Sequence, residues 1–600
     1  MRSAYGMGMK YSADPFRKLG KREIKTLMPF LRPYRKPAIG AAVLVVTTTA
    51  LKLSGPVFLQ RAIDLGIKAN DRSSLTLNGI MFVIAAVSAF FTLRFSTLLM
   101  GSVGQRALKD MRVGAFRHLV GLSLGFFERE RSGKLVARVT TDVEAVERLV
   151  TEDLIRLVTE ILFLFGAAVL LLVLDLRLGL AALSVVPLMA IGTFIFRRAA
   201  GRAYQELRER VARVLTFLHE TLQGVSVVQA FSRETANSAR FDSVNDDWAE
   251  AKFGTQRLEA SYFSLMEILG GLGTAAVLVY GGSRFIRGDL EIGTLTSFIV
   301  YLALFFEPVH HMSERFATLA SALAGLSRIA HLLEETPQIL EVAKPVDFGG
   351  SAASGLIELK GVEFKYRPEL HPALHDVTLT VQPGETLALV GPTGAGKSTI
   401  VKLMARFYDV TAGSLRMDGV DVKNLAFSSL RSSVALVPQE GFLFAGTVRD
   451  NVRFAKPGAS DSEIENICRE LGIDEFIRSL PDGYDTQVSE RGARLAAGQK
   501  QLIALARALA SNPSIILLDE ATSSLDSATE ARLDSAFRRA LKGRTSVVIA
   551  HRLSTVIGAD RIAVVDHGRV VENGSHAELV EHGGRYAALY KSWLATPIPA

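Results

Sequence analysis

Long apolar runs dominate the first half of the chain, and short apolar runs alternating with helical patterns dominate the second. The runs 39–59, 77–100, 155–174, 178–196, 262–280 and 295–309 approach the roughly 20 residues a helix needs to cross a hydrocarbon core, the last with polar breaks. One such run would suit a buried core helix, but six within half a chain predict a membrane bundle. Short loops join the spans in pairs. Two long stretches separate the pairs, 101–153 and 197–261, and both are predicted helical. Arg106, Lys109, Arg112, Arg117, Arg129, Arg131, Lys134 and Arg138 crowd the first, and Arg197, Arg198, Arg202, Arg208, Arg210 and Arg213 the second. The positive-inside rule puts both stretches, and with them both termini, in the cytoplasm. Arg94, Glu267, Glu307, His310 and His311 are ionisable groups near membrane depth. They either face a substrate path or proton relay, or they lie near the interface or beside a partner. Pro308 is a candidate kink, and Gly270, Gly271 and Gly273 are candidates for close helix packing.

The segment 1–36 is polar and basic and lacks the apolar core of a secretory signal. Its end, 27–36, mixes apolar and basic residues as an interfacial helix does, with a plain cytoplasmic tail as the alternative. The pattern changes near Pro337, where a helical stretch gives way to a Gly/Ser/Ala-rich loop. Beyond it, 356–359, 387–390, 434–437, 515–518, 546–549 and 562–565 read as buried strands of an α/β domain. The expected division is 1–36, an N-terminal segment; 37–330, a transmembrane domain of six helices; 331–355, a linker; and 356–600, a nucleotide-binding domain.

Composition sharpens this reading. The 600 residues are 48% hydrophobic and 22% charged, with mean hydropathy +0.25. That is too apolar for a disordered chain and too charged for membrane throughout, so apolar and polar residues must be segregated. The single cysteine, Cys468, excludes an intrachain disulfide and any metal site built mainly from cysteines. The net charge of +8 would suit nucleic acid, but basic cytoplasmic loops account for it and six spans argue against a soluble nucleic-acid ATPase.

Gly391-Pro392-Thr393-Gly394-Ala395-Gly396-Lys397-Ser398-Thr399 fits G-x-x-x-x-G-K-[ST] between the strand 387–390 and a predicted helix 400–408. Glycines there let backbone N–H groups wrap phosphates at a helix N-terminus. Lys397 is placed to pair with β/γ-phosphate oxygens and Ser398 to hold Mg2+. The strand 515–518 ends in Asp519 and Glu520, at the edge where α/β sheets bind ligands. Asp519 would orient Mg2+ and its waters, and Glu520 would polarise the water that attacks the γ-phosphate. Leu495-Ala496-Ala497-Gly498-Gln499 leads into a predicted helix 500–510, and His551 follows the strand 546–549.

With these motifs the second half resembles the ATP-binding cassette (ABC) family. The family's L-S-G-G-Q signature is read at Leu495, Ala496, Ala497, Gly498 and Gln499. Gln439 matches the Q-loop glutamine, a catalytic and metal-contacting residue. The D-loop falls on 523–526, with Asp526 at the nucleotide; His551 matches the switch histidine, and Tyr366 the aromatic that stacks on adenine. The segment 489–492 is similar to an exporter-specific element, and 126–133 and 222–229 resemble the two coupling segments. The resemblance implies a membrane α-helical bundle of six transmembrane helices with long cytoplasmic extensions, followed by an α/β P-loop ATP-binding cassette domain. It implies a half-transporter that uses ATP and Mg2+, sits multi-pass in the inner (plasma) membrane, and pairs head to tail with a second half-transporter chain. Each ATP would lie between the P-loop of one chain and the signature of the other. Membrane lipid and a small-molecule or lipid substrate are further expected partners; nucleic acid is not.

The departures from the family pattern matter. Ala496 stands where a serine would donate to the partner's phosphate, a bond to a charged group worth on the order of 1.5–3 kcal/mol. Ala497 replaces a glycine, and Ser524 an alanine, while Lys397, Asp519, Glu520, Gln439 and His551 are intact. Asymmetric heterodimers of the family combine features in this way, so a heterodimer is favoured over a homodimer that tolerates the alanines. Export of a lipid, drug-like or other amphipathic substrate is the expected function. Import by an exporter fold, for example of a siderophore, and an ATP-gated regulator are the alternatives, and the intact Glu520 argues against the regulator.

Overall fold

The computed structural model describes residues 21–348, 353–489, 492, 494–519, 527–550 and 552–595. The chain separates into two compact units, Met1–Val120 with Ser132–Glu335, and Gly121–Arg131 with Thr336–Ala600.

The first unit is helical. Helices Lys21–Leu31, Arg35–Arg61, Arg72–Val120, Leu154–Leu174, Leu176–Leu183, Val186–Gln223, Glu234–Ile286 and Ile292–Glu334 carry the apolar runs read from the sequence, with the run 178–196 broken by a turn at 184–185. Among the described residues, five helical segments are long and apolar enough to cross a bilayer. The sixth apolar stretch, Ile292–Pro308, is shorter but opens a helix of 43 residues. Helices Arg72–Val120 and Glu234–Ile286 have 49 and 53 residues, so each is about 75–80 Å long at 1.5 Å per residue. That far exceeds a hydrocarbon core of about 30 Å, and these are the long extensions the spacing predicts. The core forms where helix faces meet. Phe298, Tyr301, Leu302 and Phe305 recur at three- and four-residue intervals and bury against Leu171, Leu178 and Met266.

Four local expectations are refined. The stretch 101–153 is not one helix: it breaks at Val120 and resumes as Leu124–Arg129, Ser132–Val139, Thr141–Arg148 and a π turn, Leu149–Asp153. Pro308 lies inside the last helix without ending it. A Cβ at Gly270 or Gly273 would sit 3.4 or 3.3 Å from the Phe306 ring, whereas Gly271 faces open space, so two of the three glycines serve packing. Arg94, Glu267 and Glu307 are exposed on this unit, and the side chains of His310 and His311 lie outside the described residues.

The second unit is α/β. Strands β1 (Ile357–Phe364), β2 (Leu374–Val381), β4 (Ala412–Met417) and β5 (Val420–Asp421) form an antiparallel sheet in the order β2-β1-β4-β5. A second sheet uses β3 (Thr386–Val390), β6 (Val434–Val437), β9 (Ile515–Asp519), β10 (Thr545–Ile549), β11 (Arg561–Asp566) and β12 (Arg569–Gly574), in the order β12-β11-β3-β10-β9-β6. The short strands β7 (Gly446–Thr447) and β8 (Gln487–Val488) pair with each other. All neighbours from β11 to β6 are parallel. The carboxyl ends of β3, β9 and β10 therefore share one edge, where such sheets bind ligands.

Candidate functional site

The strand β3 is buried along four of its five residues and delivers the chain to Gly391. Gly391 has φ +146°, and a Cβ there would meet the Val565 carbonyl oxygen at 2.0 Å, so the turn admits only glycine. Gly396, at φ +110°, caps the helix Lys397–Met404. That helix begins three residues before the predicted start and ends four before the predicted end, because Arg406 takes φ +48° and the chain leaves the helix. Lys397 is 6% exposed, and its Nζ donates to the carbonyls of Gly391 (2.6 Å) and Pro392 (3.0 Å). Burial pushes its ammonium pKa down, partly opposed by the negative charge of Asp519. A buried cation curled over its own loop is what an arriving phosphate would draw out.

Asp519 ends β9, and the Ser398 hydroxyl lies 3.5 Å from its Oδ2. The two oxygens face an open cleft of about 1070 Å3 that Tyr366, Lys397 and Gln439 also line. Mg2+ is ordinarily held by one or two carboxylates together with substrate phosphates rather than by an all-protein cage. One carboxylate, one hydroxyl and a neighbouring amide fit that pattern, and the described residues contain no denser metal-ligating cluster. Tyr366 follows β1 and is half-exposed. Its hydroxyl lies 3.0 Å from Thr399 Oγ1, and its ring meets Phe364 and Tyr408 edge-on.

The sequence therefore placed P-loop, Asp519, Gln439 and Tyr366 at one site, and the structure brings them to one cleft. Leu495, Ala496, Ala497, Gly498 and Gln499 do not line it. They lie at the start of the helix Ala497–Ala510, with Ala496 and Ala497 exposed. That helix starts three residues before the predicted Lys500. Glu520, Asp526 and His551, and Glu490 and Arg491 of the exporter-like segment, lie outside the described residues. Sequence reasoning missed Arg552, His375 and His567 on the cleft wall. Arg552, ion-paired with Asp534 at 2.9 Å, was signalled by its adjacency to His551. His375 and His567 come from the start of β2 and the β11–β12 turn and belong to no motif.

The family described as "ABC transporter transmembrane region" matches residues 39–309, and the family described as "ABC transporter" matches 374–523. The chain is 38% identical over 579 residues to the uncharacterized ABC transporter ATP-binding protein YknV of Bacillus subtilis (strain 168), covering 95% of this chain and 94% of that protein. It is 33% identical over 567 residues to the ATP-dependent lipid A-core flippase of Syntrophus aciditrophicus (strain SB), covering 94% of each. Among solved structures, a bacterial Atm1-family ABC exporter with ATP bound matches with a TM-score of 0.77 and 28% identity, over 94% of this chain and 99% of that one.

Proposed function

Because the chain belongs to the ABC transporter family, as an exporter-type half-transporter that couples ATP hydrolysis to transport, we propose that it moves a lipid or similar amphipath outward across the inner (plasma) membrane as one subunit of an asymmetric heterodimer. The arginine-rich linkers support a cytoplasmic cassette and cytoplasmic termini. The lipid cargo is supported by the relative named as a lipid A-core flippase.

The observation that carries the heterodimer is a mismatch within one cassette. Lys397, Ser398 and Asp519 surround one cleft, while the exposed start of the signature helix is alanine and offers no hydroxyl. In this reading ATP rests its phosphates on 391–398 and its base on Tyr366. Ser398, Asp519 and Gln439 would hold Mg2+, which supplies charge neutralisation at the β- and γ-oxygens. Glu520 polarises the attacking water, and His551 contacts the γ-phosphate. The partner's intact signature closes this site, and Ala496 and Ala497 close the partner's weaker one. ATP's extra affinity for the closed pair shifts the population and turns the membrane bundle outward.

The test is ATP hydrolysis by this chain alone in lipid vesicles, beside Glu520→Gln. Folded protein that binds ATP but turns over negligibly is the expected result. Robust turnover abolished by Glu520→Gln means a self-sufficient homodimer. With the partner restored, ATP-driven movement of a fluorescent phospholipid between leaflets is expected, and its absence overturns the lipid cargo.

A further inference from the structure

The short segment Gly121–Arg131 packs as part of the cassette unit although it follows a membrane helix in the chain. Phe126 is buried, and Leu124 lies against the cassette's core. Ser123 Oγ accepts from the Ile339 amide at 3.0 Å. A Cβ at Gly125 would come within 2.9 Å of the Tyr408 ring, so glycine permits this seating.

One carboxylate of the segment reaches toward the nucleotide cleft. Glu128 accepts from Lys402 Nζ at 2.7 Å and from the Tyr408 hydroxyl at 2.6 Å. Both donors touch Tyr366. The Tyr408 ring meets it edge-on at 5.2 Å, and Lys402 Nζ lies 5.8 Å from its centroid. Burial works against the charge on Glu128, but the bonds from Lys402 and Tyr408 outweigh it and hold the carboxyl below its ordinary range. Two routes of one side chain each thus join Tyr366 to the segment. Neither includes Lys397, Ser398 or Asp519, the groups placed for phosphate and metal.

We propose that Glu128, Lys402 and Tyr408 are positioning residues that report the nucleotide's base at Tyr366, rather than its γ-phosphate, to the segment 121–131. The inference rests on the reading of Tyr366 as the base platform. Lys402 and Glu128 are about one-third exposed. A base stacked on Tyr366 would cover that side of the cleft, reduce water access and strengthen the pair. The segment would then be held more firmly whether the bound nucleotide is a di- or a triphosphate.

The experiment is backbone amide exchange of residues 121–131 in the full chain in lipid nanodiscs, with and without saturating ADP. ADP carries the base but no γ-phosphate. Exchange should slow at least about 5-fold, the lower end of ordinary couplings between sites. Glu128→Gln and Tyr408→Phe should lose that slowing while still binding ADP, which also shows that they fold, and Glu128→Asp should restore part of it. Slowing that survives in both variants, or that appears with ATP but not with ADP, overturns the relay. Tyr366→Ala separates the premise from the inference. Unchanged ADP affinity in that variant overturns the base platform and the relay with it, whereas reduced affinity beside a response that survives Glu128→Gln and Tyr408→Phe overturns the relay alone.

Discussion

Ala496 has φ −63° and ψ 156°, the backbone of a helix N-cap, but no side-chain oxygen to accept an orphan amide of the first turn. Gln499 does its share, accepting from the Ala496 amide at 3.0 Å, so half of a capping box stands. Ala496→Ser should complete the box and stabilise the cassette by about 1 kcal/mol, read as a raised melting temperature of the purified chain. In the assembled transporter the same hydroxyl should raise turnover at the partner's site. An unchanged melting temperature would show that the cap is already satisfied. Arg406 presents the opposite case, a cation 2% exposed and held by carbonyls. Its guanidinium donates to Lys423 (2.8 Å), Leu425 (3.1 Å) and Leu340 (3.3 Å) and stacks on Phe427. Arg406→Met removes the donors and strands the carbonyls, at a cost on the order of 3 kcal/mol. The variant should unfold at lower urea, seen as earlier reaction of the Cys468 thiol. An unchanged midpoint would mean that the carbonyls find other donors.

At the scale of elements, what the sequence disclosed follows from how each element is buried. Strands β3, β6, β9, β10 and β11 lie in the parallel sheet with nearly every residue covered, so they appear as unbroken apolar runs. Strand β2 alternates buried with exposed or half-exposed positions, β12 alternates exposed with half-exposed ones and buries none, and β4 begins with exposed residues. None of the three carries an apolar run, and all were missed. The P-loop was legible because its chemistry is local: nine consecutive residues dictate the turn and the helix start. The contacts of Glu128 with Lys402 and Tyr408 span 274 and 280 positions, and no spacing in one sequence announces them. The early end of the helix after the P-loop was hidden for a related reason. Arg406 adopts a left-handed backbone although its residue type favours helix, and the three carbonyls it binds lie 17, 19 and 66 positions away, outside any local motif.

At the scale of the whole molecule, the single cysteine becomes a tool. Cys468 is fully buried; burial pushes its thiol pKa up to about 12, with the Asp474 charge adding to it and a hydrogen bond with Tyr484 opposing. The thiolate is the reactive form, so at pH 8 the folded chain should be silent to maleimides with no residue removed. Orientation can then be mapped by one introduced thiol at a time. Ser73 is exposed at the start of the helix Arg72–Val120, just after the short loop between the first two spans. Ser238 is exposed near the start of the 53-residue helix Glu234–Ile286, in the arginine-rich stretch that precedes the fifth span. If basic linkers face the cytoplasm, an impermeant maleimide added to right-side-out vesicles should label Ser73→Cys and leave Ser238→Cys untouched until the membrane is opened. The reverse pattern would put the cassette on the outer face, away from cytoplasmic ATP, and would overturn the direction of transport together with the topology. Labelling at both positions would show instead that one of the two helices does not meet the membrane where its apolar run lies.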